Sequence, residues 1–447
     1  MTEINLVDQD ILAGSLKVTS NKKQFIKDDY MVNNMEHNQA YKNFIIQNEI
    51  NDNSGKILKT FQDRYKAYRL NWTNNAKSYY SSEVDLSQIN NPQCIDIETA
   101  AICDLACPHC FREYLLTPDK IMSMDLYKNI MQQIKILNIP SIKLNWRGEP
   151  LLNPHLIHMI QLAKENNVLD VAINTNATTL NETKSNEILE SGLDSIIFSF
   201  DGGTKQTYEK LRPGRFKKNS FDKVYQNIKK FCILKKEQNK IFPITKIQMV
   251  ITNETKNEIE DFYDLFEHYV DDITVTPYQE RGGGLNDVDQ KTKNKLEKVF
   301  KDKNLNIDTP YLSKGDGKLY ISEGRKSCYQ PLQRLMITYD GMVAMCCLDW
   351  GAQYCVGYLD ELAYQNQKEI EKVKTNIDNK KKGFELLKNA KYPNKYNTPE
   401  KKVSSLKEIW NGGEINKVRE IHKKKQLDKL EICKKCPYTE TYEWAEI

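Results

Sequence analysis

No stretch of the 447-residue chain approaches the roughly 20 consecutive apolar residues that a membrane-spanning helix needs. The opening residues, MTEINLVDQDILAG, lack the basic and apolar regions of a secretory signal. An excess of one charge is also missing, since 65 Lys and Arg residues stand against 61 Asp and Glu residues, a formal net charge of +4. We therefore expect a cytoplasmic protein with no membrane partner and no obligatory nucleic-acid partner.

Cysteine, in contrast, is well represented, with 11 residues. Without a secretion signal these are better explained as metal ligands or free thiols than as a disulfide framework. Cys232, between two apolar neighbours, is expected in a core. Seven cysteines fall into two sets with ligand-like context: Cys103, Cys107 and Cys110, and then Cys328, Cys346, Cys433 and Cys436.

The first set reads CDLACPHC and directly follows a strand-like stretch at residues 95–98. Three thiolates hold three irons of a cubane cluster and leave the fourth iron open for a small chelating ligand. A zinc site is the alternative, although zinc modules usually combine CxxC with a second such pair or with histidines. The spacing therefore favours a 4Fe-4S cluster.

Between about residue 92 and residue 310, β-rich runs alternate with amphipathic helical runs, which predicts an α/β fold with a mostly parallel sheet. The six predicted strands are residues 95–98, 142–145, 170–174, 195–200, 246–251 and 273–276. Six such βα units would curl into a partial (β/α)6 barrel, with functional residues at the carboxyl ends of the strands. The first cysteine set follows the first of these strands, as this arrangement requires.

The second predicted strand runs into Trp146-Arg147-Gly148-Glu149-Pro150. A Gly-Glu-Pro tripeptide alone is usually a turn. Placed after the CxxxCxxC loop, however, it makes the chain resemble the radical S-adenosylmethionine (SAM) superfamily. The resemblance implies that Gly148, Glu149 and Pro150 meet the amino group of the bound SAM, with a backbone carbonyl and the Glu149 carboxylate as acceptors.

The same resemblance implies cofactor contacts at later strand ends. Ser199 and Asp201 are the candidates for the ribose or methionine portion of SAM, and Asn174 is a further candidate. Arg212 matches an arginine that binds the SAM carboxylate, and a guanidinium fork suits a carboxylate, although a solvated surface arginine is the simpler alternative. The chain departs from the family at residues 175–177, where Thr-Asn-Ala replaces the frequent Thr-Asn-Gly.

Beyond residue 310 the pattern predicts a hairpin of residues 335–339 and 342–346 around Asp340-Gly341, a dipeptide suited to a tight turn. The second cysteine set around it resembles the ligands of the SPASM and twitch domains, which imply an auxiliary iron–sulfur cluster. Because no cysteine follows Cys436, we expect one auxiliary cluster, of the 4Fe-4S type, as in the shorter twitch form. Four thiolates suit zinc as well.

Two neighbours of this set, Cys347 and Asp349, are candidate catalytic residues. A thiol can donate a hydrogen atom to a product radical, and a carboxylate can remove a proton during an oxidation. The alternative is that Cys347 simply packs in the core on the side of the strand opposite Cys346.

Three segments are predicted: a polar, helical N-terminal extension at residues 1–90, the barrel at 91–310, and a small α+β domain at 311–447. Within the extension, residues 61–72 look able to pack, including Tyr65, Tyr68 and Leu70. A lysine-rich insertion at about 360–408 is either an ordered lid over an anionic substrate or a solvated helical segment, and charge runs favour the second.

The resemblance implies an enzyme that cleaves SAM to a 5'-deoxyadenosyl radical and abstracts hydrogen from its substrate. We expect dehydrogenation or epimerisation of a small polar molecule, such as a sugar or a nucleotide-linked molecule. A SPASM-type peptide- or protein-modifying maturase and a non-catalytic metal-binding protein are the alternatives. The implied partners are a small-molecule or peptide substrate and an electron donor such as flavodoxin or ferredoxin.

Overall fold

The computed structural model describes residues 16–18, 25–27, 55–81, 85–110, 112, 119–252, 254–277, 301, 311–313, 319–366, 397–434, 436, 438 and 441–446. Most of the predicted N-terminal extension and residues 367–396 of the lysine-rich segment lie outside these ranges. Within them, no helix combines the length and the apolar character needed to cross a membrane.

Six parallel strands form the centre of an 11-stranded sheet. Two short strands, β1 (Leu16–Val18) and β2 (Phe25–Lys27), precede them in the chain and extend one edge. The six are β3 (Cys94–Ile97), β4 (Ser141–Lys143), β5 (Asp170–Thr175), β6 (Ser195–Ser199), β7 (Ile244–Ile251) and β8 (Asp272–Pro277). All six predicted strands are confirmed, with ends shifted by one or two residues, whereas the pairing of β1 with β8 was not predicted.

The first helix of the barrel region precedes β3, and the other described helices lie between successive barrel strands, two of them between β6 and β7. In chain order, the helices are α1 (Gly55–Tyr80), α2 (Met124–Leu137), α3 (Leu156–Glu165), α4 (Glu182–Glu190), α5 (Lys205–Leu211), α6 (Phe221–Glu237) and α7 (Ile259–Phe266). In α2, Ser123 caps the first turn by accepting from the backbone of Leu126, and Ile130 and Ile134 continue the buried stripe. Right-handed crossovers between strands paired in chain order put the helices on one face, so the sheet curls into a partial barrel.

The long helix α1 packs at the amino-terminal ends of the strands. Its buried Tyr65, Tyr68 and Trp72 form one cluster with Cys94 and Ile244, which begin β3 and β7. The end of the barrel opposite the strand carboxyl ends is therefore filled by aromatic side chains. The expectation that Leu70 packs is wrong, since 62% of Leu70 is exposed.

The C-terminal part contributes to two sheets. Strands β9 (Tyr311–Ser313), β10 (Leu319–Arg325) and β14 (Tyr442–Glu446) form a small antiparallel sheet. Strands β11 (Arg334–Ile337), β12 (Met342–Ala344) and β13 (Cys355–Tyr358) extend the large sheet, and β11 lies parallel to β3. The predicted hairpin is present, but its second strand ends at Ala344. Cys346 and Cys347 therefore lie in the following loop, not on opposite faces of a strand.

The described residues of this part also form three short helices: α8 (Leu406–Trp410), α9 (Gly413–Lys423) and α10 (Glu431–Lys434). Ser405 and Glu408 cap α8 reciprocally through a capping box. Ala363 and Leu406 have no exposed surface. These two side chains anchor the described ends of the lysine-rich segment. The choice between an ordered lid and a solvated helical segment concerns residues outside the described ranges and stays a prediction.

Candidate active site

The first cysteine set and the strand ends line one cavity of about 270 Å³. It lies at the carboxyl ends of the parallel strands, where the loop after β3 brings Cys103, Cys107 and Cys110. The walls also carry Arg212, at the end of α5, and residues from or just beyond β4 to β8: Lys143, Asn145, Trp146, Gly148, Glu149, Asn174, Thr175, Asn176, Ser199, Gln248, Val250 and Thr276. Eight of the ten residues predicted to hold the first cluster and SAM therefore meet in one place, and Pro150 and Asp201 do not line the cavity.

Two thiols of this loop, those of Cys103 and Cys107, are poor acids because they are buried. Burial raises the pKa of Cys103 to about 12, and burial likewise raises the pKa of Cys107 well above its usual value. A bound metal centre would supply the positive charge that the thiolate forms require. In the described part of the chain, no three Cys, His, Asp or Glu side chains converge closely enough to hold a single metal ion.

Gly148 fits closely against the base of the cysteine loop. Its φ angle is +73°, and a Cβ atom added there would lie 2.3 Å from the carbonyl oxygen of Ala100. The next residue, Glu149, donates its backbone N–H to the carbonyl of Ile102 at 2.8 Å. Only glycine allows both the positive φ angle and this approach of two backbones.

The Glu149 carboxylate organises the same turn. One oxygen accepts from the backbone N–H of Leu151 at 3.0 Å and from the Thr175 hydroxyl at 2.6 Å, and the other accepts from the backbone N–H of Asn176 at 2.7 Å. Burial raises the pKa of Glu149 to about 7, although these donors oppose the shift. Pro150 does not line the cavity but begins a short 3-10 helix that Glu149 caps. The second carboxylate oxygen of Glu149 retains acceptor capacity for a ligand.

Asp201 lies behind the cavity wall and does not line it. One of its oxygens contacts Nε and Nη2 of Arg212 at 2.9 and 2.7 Å and Nε2 of His109 at 3.0 Å, and the other accepts from the backbone of Val250. Burial opposes ionisation, but Arg212 and His109 outweigh it and hold the pKa of Asp201 well below its usual range. Asp201 therefore orients Arg212 and His109, which both line the cavity.

Two buried polar atoms on this wall have no hydrogen-bond partner: Oδ1 of Asn174 and Nδ1 of His109. The backbone N–H of Asn174 donates to Oδ1 of Asn145 at 2.7 Å, which fixes the position of this residue on the wall. Buried polar atoms are almost always paired, so these two atoms are available to water or to a polar ligand in the cavity. The sequence analysis missed His109, although its position inside the CPHC tetrapeptide was a usable signal.

The second cysteine set also meets in one place. Cys328, Cys346, Cys433 and Cys436 line a smaller cavity of about 20 Å³, together with apolar side chains such as Ile432. Burial raises the pKa of Cys328 to about 12. These cysteines are far apart in the sequence, and the fold of the C-terminal part brings them together.

His422 lies between two of these cysteines. Its Nδ1 accepts the backbone N–H of Cys328 at 3.1 Å, so the ring proton belongs on Nε2, which is 3.6 Å from the sulfur of Cys433. Burial lowers the pKa of His422 to about 3, which keeps the ring neutral. A neutral histidine in this tautomer donates an N–H hydrogen bond to a cysteine sulfur.

The two candidate catalytic residues lie elsewhere. The Asp349 carboxylate accepts the backbone N–H groups of Gln353 and Tyr354 at 2.7 and 2.8 Å, and so shapes its own loop. The Cys347 sulfur is buried, 3.8 Å from Oε1 of Gln330. Neither residue lines the cavity, so the geometry does not favour catalytic roles for them. The residue of this loop that does line the cavity is Trp350, which the sequence analysis missed.

The loop at residues 346–350 is attached to the strand end that precedes Gly148. Arg147 forms a buried ion pair with Glu98, at 2.6 and 2.8 Å, and donates from Nη1 to the carbonyl of Trp350 at 2.8 Å. This contact fixes the part of the C-terminal loop that reaches the cavity.

A parallel partial barrel with a three-cysteine loop at its strand ends defines the class of protein. Residues 97–266 match the family model of the radical SAM superfamily. The chain belongs to this superfamily. Residues 328–437 match the SPASM iron-sulfur cluster-binding domain, so the protein is a radical SAM protein with a C-terminal SPASM domain.

The individual relatives match only in part. The probable GTP 3',8-cyclase of Methanothermobacter marburgensis is 30% identical over 112 residues, 25% of this chain and 36% of that protein. The mycofactocin maturase MftC of Mycolicibacterium smegmatis is 21% identical over 196 residues, 44% of this chain and 47% of that protein. The chain thus spans about a third to a half of the length of these curated relatives. The crystal structure of BtrN in complex with AdoMet and 2-DOIA is 16% identical, with a TM-score of 0.42 over 78% of this chain and 94% of that chain.

The two domains imply a 4Fe-4S cluster, SAM and an auxiliary iron–sulfur cluster. The residues of both cavities fit these groups. The first cavity offers three thiols, a guanidinium and the unpartnered atoms of Asn174 and His109. The second offers four thiols and a histidine N–H.

Proposed function

We propose that the protein is an enzyme that cleaves SAM reductively and removes a hydrogen atom from a small polar substrate. The observation that carries this proposal is the single cavity shared by the three-cysteine loop, Glu149, Arg212 and the unpartnered Asn174 side chain. When bound, the cluster supplies the electron that breaks a carbon–sulfur bond of SAM, and the 5'-deoxyadenosyl radical formed abstracts hydrogen.

In this proposal Cys103, Cys107 and Cys110 hold three irons and leave one for SAM. Arg212 has five N–H groups, and Asp201 engages only Nε and Nη2. The remaining N–H groups of Arg212 bind the SAM carboxylate, and the free acceptor position of Glu149 takes the SAM ammonium group. Asn174 and Ser199 supply polar groups for the ribose.

Cys328, Cys346, Cys433 and Cys436 hold the auxiliary cluster. Four thiolates complete the ligation of a cubane, so this site suits electron transfer better than substrate binding. A substrate radical that lost one electron to a second redox centre and one proton to water would become a product oxidised by two electrons relative to the substrate. The arrangement therefore supports dehydrogenation more directly than epimerisation, which needs the return of a hydrogen atom.

The cavity wall suits a small polar substrate. Lys143, Asn145, Gln248 and Thr276 come from β4, β7 and β8 or the residue positions just beyond, and the Gln248 amide donates to the Thr276 hydroxyl at 3.1 Å. Glu149 is the single carboxylate among the described lining residues. A neutral or anionic substrate such as a sugar or nucleotide is therefore favoured, and the similarity to a probable GTP 3',8-cyclase agrees with that class.

Peptide modification is the second candidate, supported by the partial similarity to the maturase MftC. The two candidate functions differ in which molecule stimulates SAM cleavage. An enzyme for a small substrate cleaves SAM faster when that substrate alone is added, whereas a maturase does so only when its precursor peptide is added. A purely structural metal protein would not cleave SAM with either.

The deciding experiment is anaerobic reconstitution followed by iron and sulfide analysis and a dithionite-driven assay for 5'-deoxyadenosine. We expect about eight irons in the wild type and about four in Cys103→Ala/Cys107→Ala/Cys110→Ala, with cleavage abolished. Cys232→Ala is the matched control, because its thiol is buried in the core and lines neither cavity. Zinc in place of iron, or a fully loaded wild type that does not cleave SAM, would refute the proposal.

A further inference from the structure

A surface loop of sequence PGRFKK at residues 213–218, termed here the basic loop, pairs with the loop that carries the first cysteine set. The backbone N–H of Ala106 donates to the carbonyl of Pro213 at 2.9 Å, and the backbone N–H of Arg215 donates to the carbonyl of Asp104 at 2.7 Å. The basic loop is therefore hydrogen-bonded to the short segment between Cys103 and Cys107.

The outer face of the basic loop is cationic and aromatic. Arg215, Phe216, Lys217 and Lys218 are exposed, and the Phe216 side chain is 59% exposed with the Arg215 guanidinium 4.9 Å from its ring centre. The neighbouring acid, Asp119, is paired with Arg215 at 2.6 Å and also with Arg112 at 2.9 Å. The charge of this acid is therefore balanced, and the two lysines leave the face positive.

The shape of the basic loop is set by its own backbone. A Cβ atom at Gly214 would lie 1.6 Å from the carbonyl oxygen of Lys217, so the turn closes tightly on itself. Gly214 also forms a β-bridge with Leu105 of the cysteine loop. At the far end of the turn, the Asn219 amide donates to the carbonyl of Arg212 at 2.9 Å. The exposed cations and the aromatic ring thus project from a preformed turn.

Reductive cleavage of SAM requires one electron from outside the protein for each reaction. We propose that the basic loop is the docking surface for a small acidic electron-transfer protein that reduces the cluster held by Cys103, Cys107 and Cys110, an inference that rests on the proposed function. Runs of charged residues usually only face water. The basic loop differs because two hydrogen bonds lead from it to residues adjacent to Cys103 and Cys107.

Charge and composition indicate the occupant. A positive face steers a negatively charged partner and accelerates association, and an exposed aromatic ring adds a desolvated contact at the centre. Electron carriers of the flavodoxin or 2Fe-2S ferredoxin class carry an acidic face and one redox group near their surface. Such a partner, docked on Phe216, would place its redox group against the backbone path into the cysteine loop.

The test compares two reductants on the reconstituted full-length enzyme. The variant is Lys217→Glu/Lys218→Glu, and the control is Lys128→Glu/Lys135→Glu on α2, which reverses the same number of exposed charges. With dithionite, all three proteins should form 5'-deoxyadenosine at equal rates. With reduced flavodoxin or ferredoxin, kcat/KM for the carrier should fall roughly tenfold or more in the basic-loop variant and remain unchanged in the control.

Salt provides a second readout. The carrier-driven rate of the wild type should decline as salt rises from about 0.05 M to about 0.5 M, because the screening length shortens, and the basic-loop variant should lose this dependence. Equal losses with both reductants, or an unchanged carrier-driven rate, would overturn the docking surface. If the wild type fails with dithionite as well, the proposed function fails. In that case, calorimetry measures the affinity of each carrier for the wild type and for the basic-loop variant, and so tests the docking surface independently. Equal affinities would refute the docking surface.

Discussion

The indole nitrogen of Trp146 donates a hydrogen bond to the backbone carbonyl of Cys347 at 3.1 Å, although 201 residues separate the two in sequence. Trp146 lines the first cavity, and Cys347 is adjacent to Cys346, which lines the second. The same strand end sends Arg147 to the carbonyl of Trp350. One loop of the C-terminal part thus joins both cavities, and the segment before Gly148 holds it.

Loss of Arg147 should destabilise the protein strongly. Arg147→Met leaves the carboxylate of Glu98, which has no exposed surface, without its cation. Breaking a buried pair in this way costs about 3–5 kcal/mol. Denaturant unfolding measures the change, and Glu98→Gln/Arg147→Met should recover a large part of it. Lys205→Met, which breaks an exposed pair with Asp222, is the control and should leave stability unchanged. Equal effects of the buried and exposed changes would contradict the role of the pair.

A methyl group at Gly148 should not be tolerated. Gly148→Ala forces a positive φ angle on alanine, costing about 1–3 kcal/mol, and drives Cβ into the backbone of the cysteine loop. We expect a lower unfolding midpoint and loss of iron from the first cavity. Gly413→Ala tests the same change in open space at the start of α9, where alanine should be neutral or stabilise by up to about 1 kcal/mol. A Gly148→Ala protein with full iron and a normal midpoint would show that the fit of the two backbones is unimportant.

The ion pair between Asp201 and Arg212 should control the affinity of the protein for SAM. Arg212→Lys keeps the charge but loses the fork, and Asp201→Asn removes the anion that orients Arg212 and His109. A charge-assisted hydrogen bond contributes about 1.5–3 kcal/mol, so the Kd for SAM should rise roughly 10- to 150-fold. Equilibrium dialysis with SAM measures the Kd, and iron analysis of the same samples establishes that the cluster is retained. Unchanged Kd values with normal iron would exclude Arg212 from SAM binding.

His422 should tune the auxiliary cluster. A hydrogen bond to a ligand sulfur stabilises the reduced, more negative cluster, so His422→Leu should lower its reduction potential. A loss of about 1 kcal/mol corresponds to roughly 40 mV for one electron. His422→Gln can still accept from Cys328 and donate towards Cys433, and should restore part of the shift. A redox titration followed by electron paramagnetic resonance reads out the potential, and an unshifted value in His422→Leu would show that Nε2 does not donate.

Local sequence patterns were sufficient to predict the barrel strands and the position of the first cysteine set. Alternating β-rich and amphipathic runs mark βα units, and the cysteines that follow residue 98 need no distant information to be placed at a strand end. The place of His109 inside CPHC already indicates the cavity, but Gln248 and Trp350 could not be assigned to it in this way. Their meeting depends on how far the sheet curls and on how the C-terminal loop returns to it, and both are set by contacts distant in sequence. The same reason explains why the position of Asp201 was not predicted. Asp201 follows a predicted strand, but its side chain lies behind the cavity wall and does not line the cavity.

The parallel pairing of β11 with β3 has a consequence for electron exchange. Leu335 lies opposite Ile95 and Ile337 opposite Ile97, so the C-terminal part continues the barrel sheet without a hinge between them. Tunnelling rates fall steeply with distance, and two redox centres on separate, mobile domains exchange electrons only in brief favourable arrangements. The first cysteine loop follows β3 and Cys346 follows β12, two strands away in the same sheet, so these attachment points keep a constant separation. The sheet itself therefore sets the spacing between the two groups of cysteines.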